Sequence, residues 1–272
     1  MPVVQQVAQD FFAQFRRYWN MTQRWLPQGW ADALRQLMLF AGAYYAYRIV
    51  RGFVDGQAAL AFENARHLVD FERTLGLFFE PNLQSWAQGS AHWLVDGANF
   101  MYVNSQFVVT TTFLVWLYIM RNESFYYVRN MFMIAMFLAL VGYVAYPAAP
   151  PRFLPEWGFT DTVANAVGIK AEQSANVLYN PFAAVPSMHV AFALMIGIPA
   201  SRIVKFKPLK VLWLCYPPVV TFVVVVTANH FWMDAALGAG VAAVSASASS
   251  LALARARPEA WAWRTAHAEA VA

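Results

Sequence analysis

Apolar residues are concentrated in six long segments of the chain, and short polar or proline-containing stretches separate these segments. Each segment is close to the ~20 residues that an α-helix needs to cross the ~30 Å apolar core of a bilayer. In round numbers the segments cover residues 34–54, 98–120, 125–146, 186–204, 209–228 and 231–254. This pattern predicts an all-α, polytopic membrane protein with six transmembrane helices.

Two further stretches have an amphipathic pattern. Residues 3–19 place valine and phenylalanine on one helical face, which predicts an interfacial helix before the first span; a loosely ordered tail is the alternative. Residues 55–97 mix charged and apolar residues at helical spacing, which predicts one or two helices on the membrane surface, broken near Glu80-Pro81-Asn82. We therefore predict a cytoplasmic interfacial N-terminal segment (1–32), a membrane domain (33–254) and a short cytoplasmic tail (255–272).

The last predicted span, residues 231–254, is rich in alanine, glycine and serine, and it includes Gly238 and Gly240. Small residues let membrane helices approach each other closely. We therefore expect this span to be buried in the helix bundle.

Composition supports the membrane assignment. The chain is 60% hydrophobic and only 12% charged, whereas a soluble domain carries about 25% charged residues. The single cysteine, Cys215, lies inside an apolar segment, so an internal disulfide framework is excluded. The formal charge of +4 is expected to mark cytoplasmic loops, and a nucleic-acid partner is not predicted.

The distribution of positive charge predicts the orientation. With six spans both termini share a side, and 13 of the 19 lysine and arginine residues fall on that side, against six on the other. The positive-inside rule then places both termini in the cytoplasm of a plasma or inner membrane. The loop after the third span and the starts of the fourth and sixth spans face outward. Five polar residues thereby share one depth below the outer surface: Arg152, Ser187, His189, His230 and Asp234.

Two polar segments stand at the starts of the fourth and sixth spans. In the first, Pro186 is expected in the first turn of a helix, where the free amides and the Ser187 hydroxyl form a site for an anion such as phosphate. In the second, His230 and Asp234 are four residues apart and share one helical face. A carboxylate at one ring nitrogen fixes the tautomer and favours positive charge on the ring, so such a histidine is a strong base or nucleophile.

Each of these residues also has a plainer interpretation. The histidine–aspartate pair can be structural, Ser187 and His189 can be polar groups of a helix start, and Arg152 can contact lipid headgroups. Two histidines and a carboxylate also suit zinc, but the serine and the arginine favour an anion, so no metal is predicted. Because an ionisable pair is costly inside membrane spans, it is functional by default. The shared depth of all five residues favours one active site.

Together the two segments resemble the type 2 phosphatidic acid phosphatase superfamily. The resemblance covers roughly residues 70–245 and rests on Pro186-Ser187-Met188-His189 followed by His230-x3-Asp234. Two flanking motifs are similar to the inositolphosphotransferase branch, which contains inositol phosphorylceramide synthase. They are Pro147-x2-Pro150-Pro151-Arg152 and Asn180-x2-Ala183-Ala184.

The family pattern also has elements that this chain lacks. Met188 stands where the family has glycine, and Val223 and Val224 stand where the family has Ser-Arg. The usual first motif, a lysine seven residues before Arg-Pro, has no counterpart. Two phosphate-binding cations are therefore missing, and Arg152 is the predicted replacement. Its candidate helper is Arg48, Arg51 or Arg73.

The resemblance implies a two-step transfer of a phosphoryl group from a phospholipid or polyprenyl-type lipid phosphate. It implies that His230 attacks phosphorus, that Asp234 orients His230, and that His189 protonates the leaving oxygen. A phosphohistidine forms and His189 then activates the acceptor, while Arg152 and Ser187 hold the phosphoryl oxygens. Neither a metal nor a cofactor is implied. Water as the acceptor gives a phosphatase, and an alcohol such as inositol or another polyol gives a phosphotransferase.

Two other functions deserve comparison. A transporter or channel that uses the histidine–aspartate pair as a proton relay requires ionisable residues through the membrane depth, and the remaining spans lack mid-membrane acids. A non-catalytic assembly subunit would carry the site as a relic, which the intact set of two histidines and one aspartate disfavours. A lipid phosphatase or phosphotransferase is therefore the predicted function.

Overall fold

The computed structural model describes residues 13–14, 22, 26–53, 57–167 and 182–253. Within these ranges the chain is helical, and its only β-type pairing is an isolated bridge between Ala148 and Ala183. The all-α prediction is therefore confirmed for this part of the chain. The predicted tail and nearly all of the predicted N-terminal interfacial helix lie outside the described residues.

Nine α-helices are present in these ranges. In chain order they are α1 (Gly29–Phe53), α2 (Ala58–Thr74), α3 (Glu80–Ser90), α4 (His92–Met120), α5 (Asn122–Ala145), α6 (Thr162–Val167), α7 (Met188–Ile203), α8 (Lys207–Val226) and α9 (Trp232–Ser247). Two 3-10 turns, Pro151–Phe153 and Pro155–Trp157, lie between α5 and α6, and a π-helical turn, Ala248–Leu253, follows α9. Each of the six predicted spans coincides with one helix: α1, α4, α5, α7, α8 or α9.

Three of these helices are long and apolar enough to cross a membrane, namely α4, α5 and α8. Helix α7 is also apolar, but it has 16 residues, fewer than the ~20 that a span requires. The structure therefore supports three of the six predicted spans by length and composition, and the six-span arrangement stays a prediction.

Large apolar side chains cover the outer faces of the candidate spans. Phe100 on α4 is 72% exposed, Phe137 on α5 is 65% exposed, and Leu212 on α8 is 63% exposed in the isolated chain. Burying such side chains stabilises each by about 1.5–3 kcal/mol relative to water. An exposed apolar surface of this kind marks contact with a membrane or a partner, and the hydropathy of the same helices favours lipid.

Helix α7 lies at the centre of the bundle and packs against α4, α5, α8 and α9. Its contact with α8 is very close at Gly197, where a Cβ atom would lie 2.5 Å from the carbonyl oxygen of Trp213. Met195 and Ile196 of α7 pack into the main core, which includes Phe132 of α5. The start of α7 is therefore held by several long helices.

The predicted amphipathic region forms two helices, α2 and α3, as expected. The predicted break near Glu80-Pro81-Asn82 is present directly before these residues, since the chain leaves the helix at residues 75–79 and Glu80 begins α3. Proline needs no amide partner in a first helical turn, so Pro81 starts this helix and does not end one. The burial of Glu72 and Glu80 differs from the prediction. Both are fully buried, although they belong to the charged pattern of a predicted surface region.

Amide side chains from α2, α3 and α4 hold the loop that follows α5. The Asn64 side chain donates to the Pro147 carbonyl (2.8 Å), and the Gln84 side chain both donates to and accepts from the Thr160 backbone (3.0 Å each). Asn99 bonds the carbonyl and the hydroxyl of Thr162 (3.1 and 3.0 Å). These bonds fix the loop, and therefore Arg152, against the helices.

Candidate active site

The starts of α7 and α9 lie against each other. The Ser187 amide donates to the carbonyl oxygen of Asp234 (3.0 Å), which ties the residue before α7 to the first turn of α9. Gly238, one turn further along α9, makes the approach feasible, since a Cβ atom there would lie 2.2 Å from the Ser187 carbonyl oxygen. Gly240 has open space around it. Only one of the two glycines singled out in the sequence is therefore needed for this contact.

The expected place of Pro186 is corrected by the structure. Helix α7 begins at Met188 and its N-cap is Ser187, so Pro186 precedes the helix and is not in its first turn. The Ser187 side chain makes no cap hydrogen bond. Its hydroxyl oxygen is buried and has no hydrogen-bond partner among the described residues. The interpretation of Ser187 as a cap alone is therefore not supported.

The rings of the two histidines lie close to each other. The ring centroids of His189 and His230 are 5.8 Å apart, and the His189 ring also stacks on Tyr102 of α4 at 4.5 Å. His230 follows a tight reversal after α8, where its own amide and that of Asn229 both donate to the Val224 carbonyl (3.1 and 3.0 Å). This reversal turns the chain from α8 into α9 and points it toward α7.

Asp234 faces His230 from inside the bundle. Its Oδ2 lies 3.4 Å from Nδ1 of His230 and accepts a hydrogen bond from the Phe231 amide at 3.0 Å. Asp234 has no exposed surface, and His230 is 6% exposed. The four-residue spacing therefore gives the contact expected from the sequence, and the carboxylate also caps its own helix.

Arg152 reaches the same site through the loop after α5. Its guanidinium bonds the side-chain oxygen of Asn229, the residue before His230, and it pairs with Asp161 at 3.5 Å. Its backbone amide donates to the Ala228 carbonyl (2.8 Å). The side chain is 8% exposed, so it does not reach out to a headgroup layer.

Two of these partners, Asn229 and Asp161, were not selected from the sequence. Asn229 directly precedes His230, which is the one signal that could have pointed to it. Asp161 carries no local signal, because only the folded loop brings it to Arg152.

The other arginines proposed as helpers of Arg152 are placed differently. The Arg73 guanidinium lies over the rings of Phe78 and Trp157, at 5.0 and 5.6 Å from their centroids. The side chain of Arg51 lies outside the described residues, and Arg48 lies near the C-terminal end of α1, five residues before Phe53. The structure therefore gives Arg152, and not Arg73, direct contact with a residue of the histidine segment.

Two buried glutamates at the start of α9 are the main feature that sequence reasoning missed. Oε1 of Glu80 accepts a hydrogen bond from the Trp232 amide (3.1 Å), and Oε1 of Glu72 accepts one from the Met233 amide (3.3 Å). Burial, followed by the charge of Glu80 and a hydrogen bond to it, raises the pKa of Glu72 to about 9. Both side chains looked like parts of a polar surface helix, so no pattern signalled their burial.

The zinc alternative requires several metal-ligating side chains around one point. Within the described ranges, no group of three or more histidine, cysteine, aspartate or glutamate side chains is arranged to hold a metal ion. The polar groups on the two histidine segments and beside them are instead the Ser187 hydroxyl, the Asp234 carboxylate next to His230, and the Arg152 guanidinium, which bonds Asn229. Donors and a cation of this kind suit the oxygens of an anion.

A bundle of apolar helices that holds two adjacent histidines, one of them backed by a carboxylate, defines a membrane protein with a histidine-based polar site. The family model of the PAP2 superfamily matches residues 66–248, and the chain belongs to this superfamily. The match runs from the middle of α2 to just past the end of α9 and includes every residue of the site. No curated protein and no solved structure matches the chain. Membership supports a phosphatase-type activity on a lipid phosphate.

Proposed function

We propose that this protein is an integral-membrane lipid phosphatase or phosphotransferase that works through a phosphohistidine on His230. The observation that carries the proposal is the pairing of the two histidine rings at 5.8 Å, with Asp234 placed 3.4 Å behind His230. A nucleophile with an orienting carboxylate, next to a second acid–base group, is the arrangement that covalent phosphoryl transfer requires.

In the first step, the lone pair on Nε2 of His230 attacks phosphorus while Nδ1–H faces Asp234. A P–N bond forms and the bond from phosphorus to the leaving oxygen breaks. His189 gives its proton to that oxygen. In the second step His189 takes a proton from the acceptor, whose oxygen attacks phosphorus and releases His230. The carboxylate of Asp234 stabilises the positive charge that the His230 ring carries in between.

Three groups are proposed to hold the phosphoryl oxygens. The Ser187 hydroxyl is buried and unpartnered in the described part of the chain, and it stands at the start of α7. The first-turn amides of that helix and the guanidinium of Arg152 complete the set. Donors that are fixed before the reaction stabilise the charge of the transition state without reorganisation.

The acceptor is the finer part of the proposal. The resemblance of Pro147-x2-Pro150-Pro151-Arg152 to the inositolphosphotransferase branch favours inositol or another polyol over water. The test is to incubate the purified protein in lipid nanodiscs with a panel of phospholipids and polyprenyl phosphates, with and without polyols. Free phosphate identifies a phosphatase, and a new phospholipid identifies a transferase. If neither product exceeds that of His230→Ala, the proposed function is wrong.

The proposed topology has six spans, both termini in the cytoplasm and the site at the outer surface. A cysteine placed at position 170 tests it, in a chain in which the exposed native Cys215 is changed to alanine. We expect labelling from the outer side of intact cells or spheroplasts. Labelling from the cytoplasmic side alone would contradict both the orientation and the location of the site.

A further inference from the structure

The first turn of α9 is held by three carboxyl groups. The amide of Phe231 donates to Asp234, that of Trp232 to Glu80, and that of Met233 to Glu72. All three carboxyl side chains have no exposed surface. Two of them come from α2 and α3, more than 150 residues away in the chain. One short local side chain satisfies a single amide of a helix start, and the first four amides lack intrahelical partners, so the long-range acids satisfy the two amides that Asp234 does not reach.

We propose that Glu72 and Glu80 are positioning residues of the active site, which lock the first turn of α9 so that Asp234 faces His230. This inference rests on the proposed function of the His230–Asp234 pair. The geometry supports it because the capped amides belong to the residues between His230 and Asp234. A displacement of this turn would therefore change the 3.4 Å distance from Asp234 to the ring.

The two glutamates interact with each other as a pair. Each uses Oε1 to accept from the α9 backbone, and neither Oε2 has a hydrogen-bond donor among the described residues. Two buried carboxylates side by side would repel each other, and one proton relieves the repulsion by making a donor. Glu72 holds this proton near neutral pH, since burial and Glu80 raise its pKa to about 9.

Among the described residues, the ionisable groups that act on Glu72 come from α3 and α9. Glu80 of α3 and Asp234 of α9 act on it electrostatically, and His230 lies beyond Asp234. The neighbouring Arg73 is directed to the rings of Phe78 and Trp157. A protonated Glu72 therefore keeps the net charge of the three acids low while all three amides remain bonded.

Because Glu72 is protonated, substitutions that keep or remove its hydrogen bonds should have clearly different effects on activity. Glu72→Gln keeps the length, one acceptor for Met233 and one donor for Glu80, so it should behave like the wild type. Glu72→Ala removes both bonds, and a loosened turn should lower kcat about 10²-fold with little change in KM. Glu63→Ala is the matched control, because Glu63 is on the same helix and exposed. It should leave kcat unchanged.

A second measurement is independent of turnover. The imidazole titration of His230 is followed by NMR in the full-length protein with labelled histidine, and its resonance is identified with His230→Ala. In Glu72→Ala the midpoint should fall by about one pH unit, because the carboxylate of Asp234 no longer faces the ring. In Glu72→Gln and Glu63→Ala the midpoint should stay at the wild-type value. A glutamate that only stabilised the fold would leave the midpoint in place.

The outcomes separate the two proposals. An inactive wild type with the expected midpoint shifts would reject the proposed function and keep the positioning role. Normal kcat and an unmoved midpoint in Glu72→Ala would reject the positioning role and keep the function. If Glu72→Ala does not fold, Glu72→Asp replaces it, since it keeps the acid but shortens the reach. Greater activity in Glu72→Asp than in Glu72→Gln would overturn the inference.

Discussion

Helices α7 and α9 both begin at the candidate site, but their first turns are satisfied in opposite ways. At α9 three consecutive amides are bonded to the buried carboxyl groups of Asp234, Glu80 and Glu72. At α7 the N-cap side chain of Ser187 makes no cap bond, and the first turn contains no acidic residue. The start of a helix favours negative charge. Helix α9 receives this charge from the protein, whereas α7 receives none from its own cap or first turn, as the proposed phosphate site requires.

This difference fits the proposed function, in which the two histidine segments have different tasks. Phosphate is expected at α7, beside Ser187, where donors are available. The carboxyl groups at α9 favour positive charge on His230. A phosphorylated imidazole carries such a charge, so these groups would stabilise it. The comparison therefore supports the proposed roles, with His230 as the nucleophile and the residues at the start of α7 as the phosphate-binding side.

The largest expected effect comes from removing one of the two histidines, because the proposal gives them different tasks. His230→Ala should abolish the phosphoenzyme, because the covalent route has no other nucleophile. His189→Ala should cost ~10²–10⁴-fold with a lipid substrate, and much less with an aryl phosphate whose leaving group needs no proton. Trapping of labelled phosphate followed by acid-stability analysis measures both. His92→Ala, at the exposed start of α4, is the control. Labelled phosphate on His189, or its persistence in His230→Ala, would reverse the assignment.

A smaller effect is expected from separating the two helix starts. Gly238→Ala places a Cβ atom 2.2 Å from the Ser187 carbonyl oxygen, so the helices must move apart. A displacement near 1 Å can cost about 10²-fold in rate, and the melting temperature should also fall. Gly240→Ala adds the same methyl group in open space and should be close to wild type in both assays. Equal effects of the two substitutions would show that the close approach does not matter.

The next largest effect on activity is expected from removing the Ser187 hydroxyl, the side-chain donor at the start of α7. Ser187→Ala removes a hydroxyl that has no partner in the described residues, so the fold should lose little. The phosphate would lose one hydrogen bond to a charged group, worth about 1.5–3 kcal/mol, or roughly 10–10²-fold in kcat/KM. Ser201→Ala, at the other end of the same helix, is the matched control. A large drop in melting temperature with unchanged kinetics would contradict the binding role.

The smallest expected effect is a pH dependence of stability from α9. Glu72 has a pKa of about 9 in the fold and an ordinary value of 4.5. Between these values the folded state holds a proton that the unfolded state releases, so the free energy of unfolding should fall as the pH rises. Glu72→Gln should show a flatter profile of melting temperature between pH 5 and 9, and Glu63→Gln should retain the wild-type slope. Identical slopes in all three proteins would exclude a buried protonated Glu72.

The sequence by itself determined the positions of the six long apolar helical segments and which residues are proposed for the site. The apolar period and the length of each segment are local properties, and a bilayer admits helices as spanning elements of this kind. The six predicted segments therefore coincide with α1, α4, α5, α7, α8 and α9. The contact between His230 and Asp234 was predictable too, since their four-residue spacing lies within one helix.

Only the tertiary structure decided what surrounds that pair. Glu72 and Glu80 carry the pattern of an exposed helix. Their burial was not predictable, because a local pattern does not distinguish a polar side chain that faces water from one that caps a distant helix. The different roles of Gly238 and Gly240 depend on where the Ser187 carbonyl lies. The bond from Arg152 to Asn229 depends on a loop held by amides from three other helices. Each of these contacts joins residues far apart in the chain, so packing alone creates it.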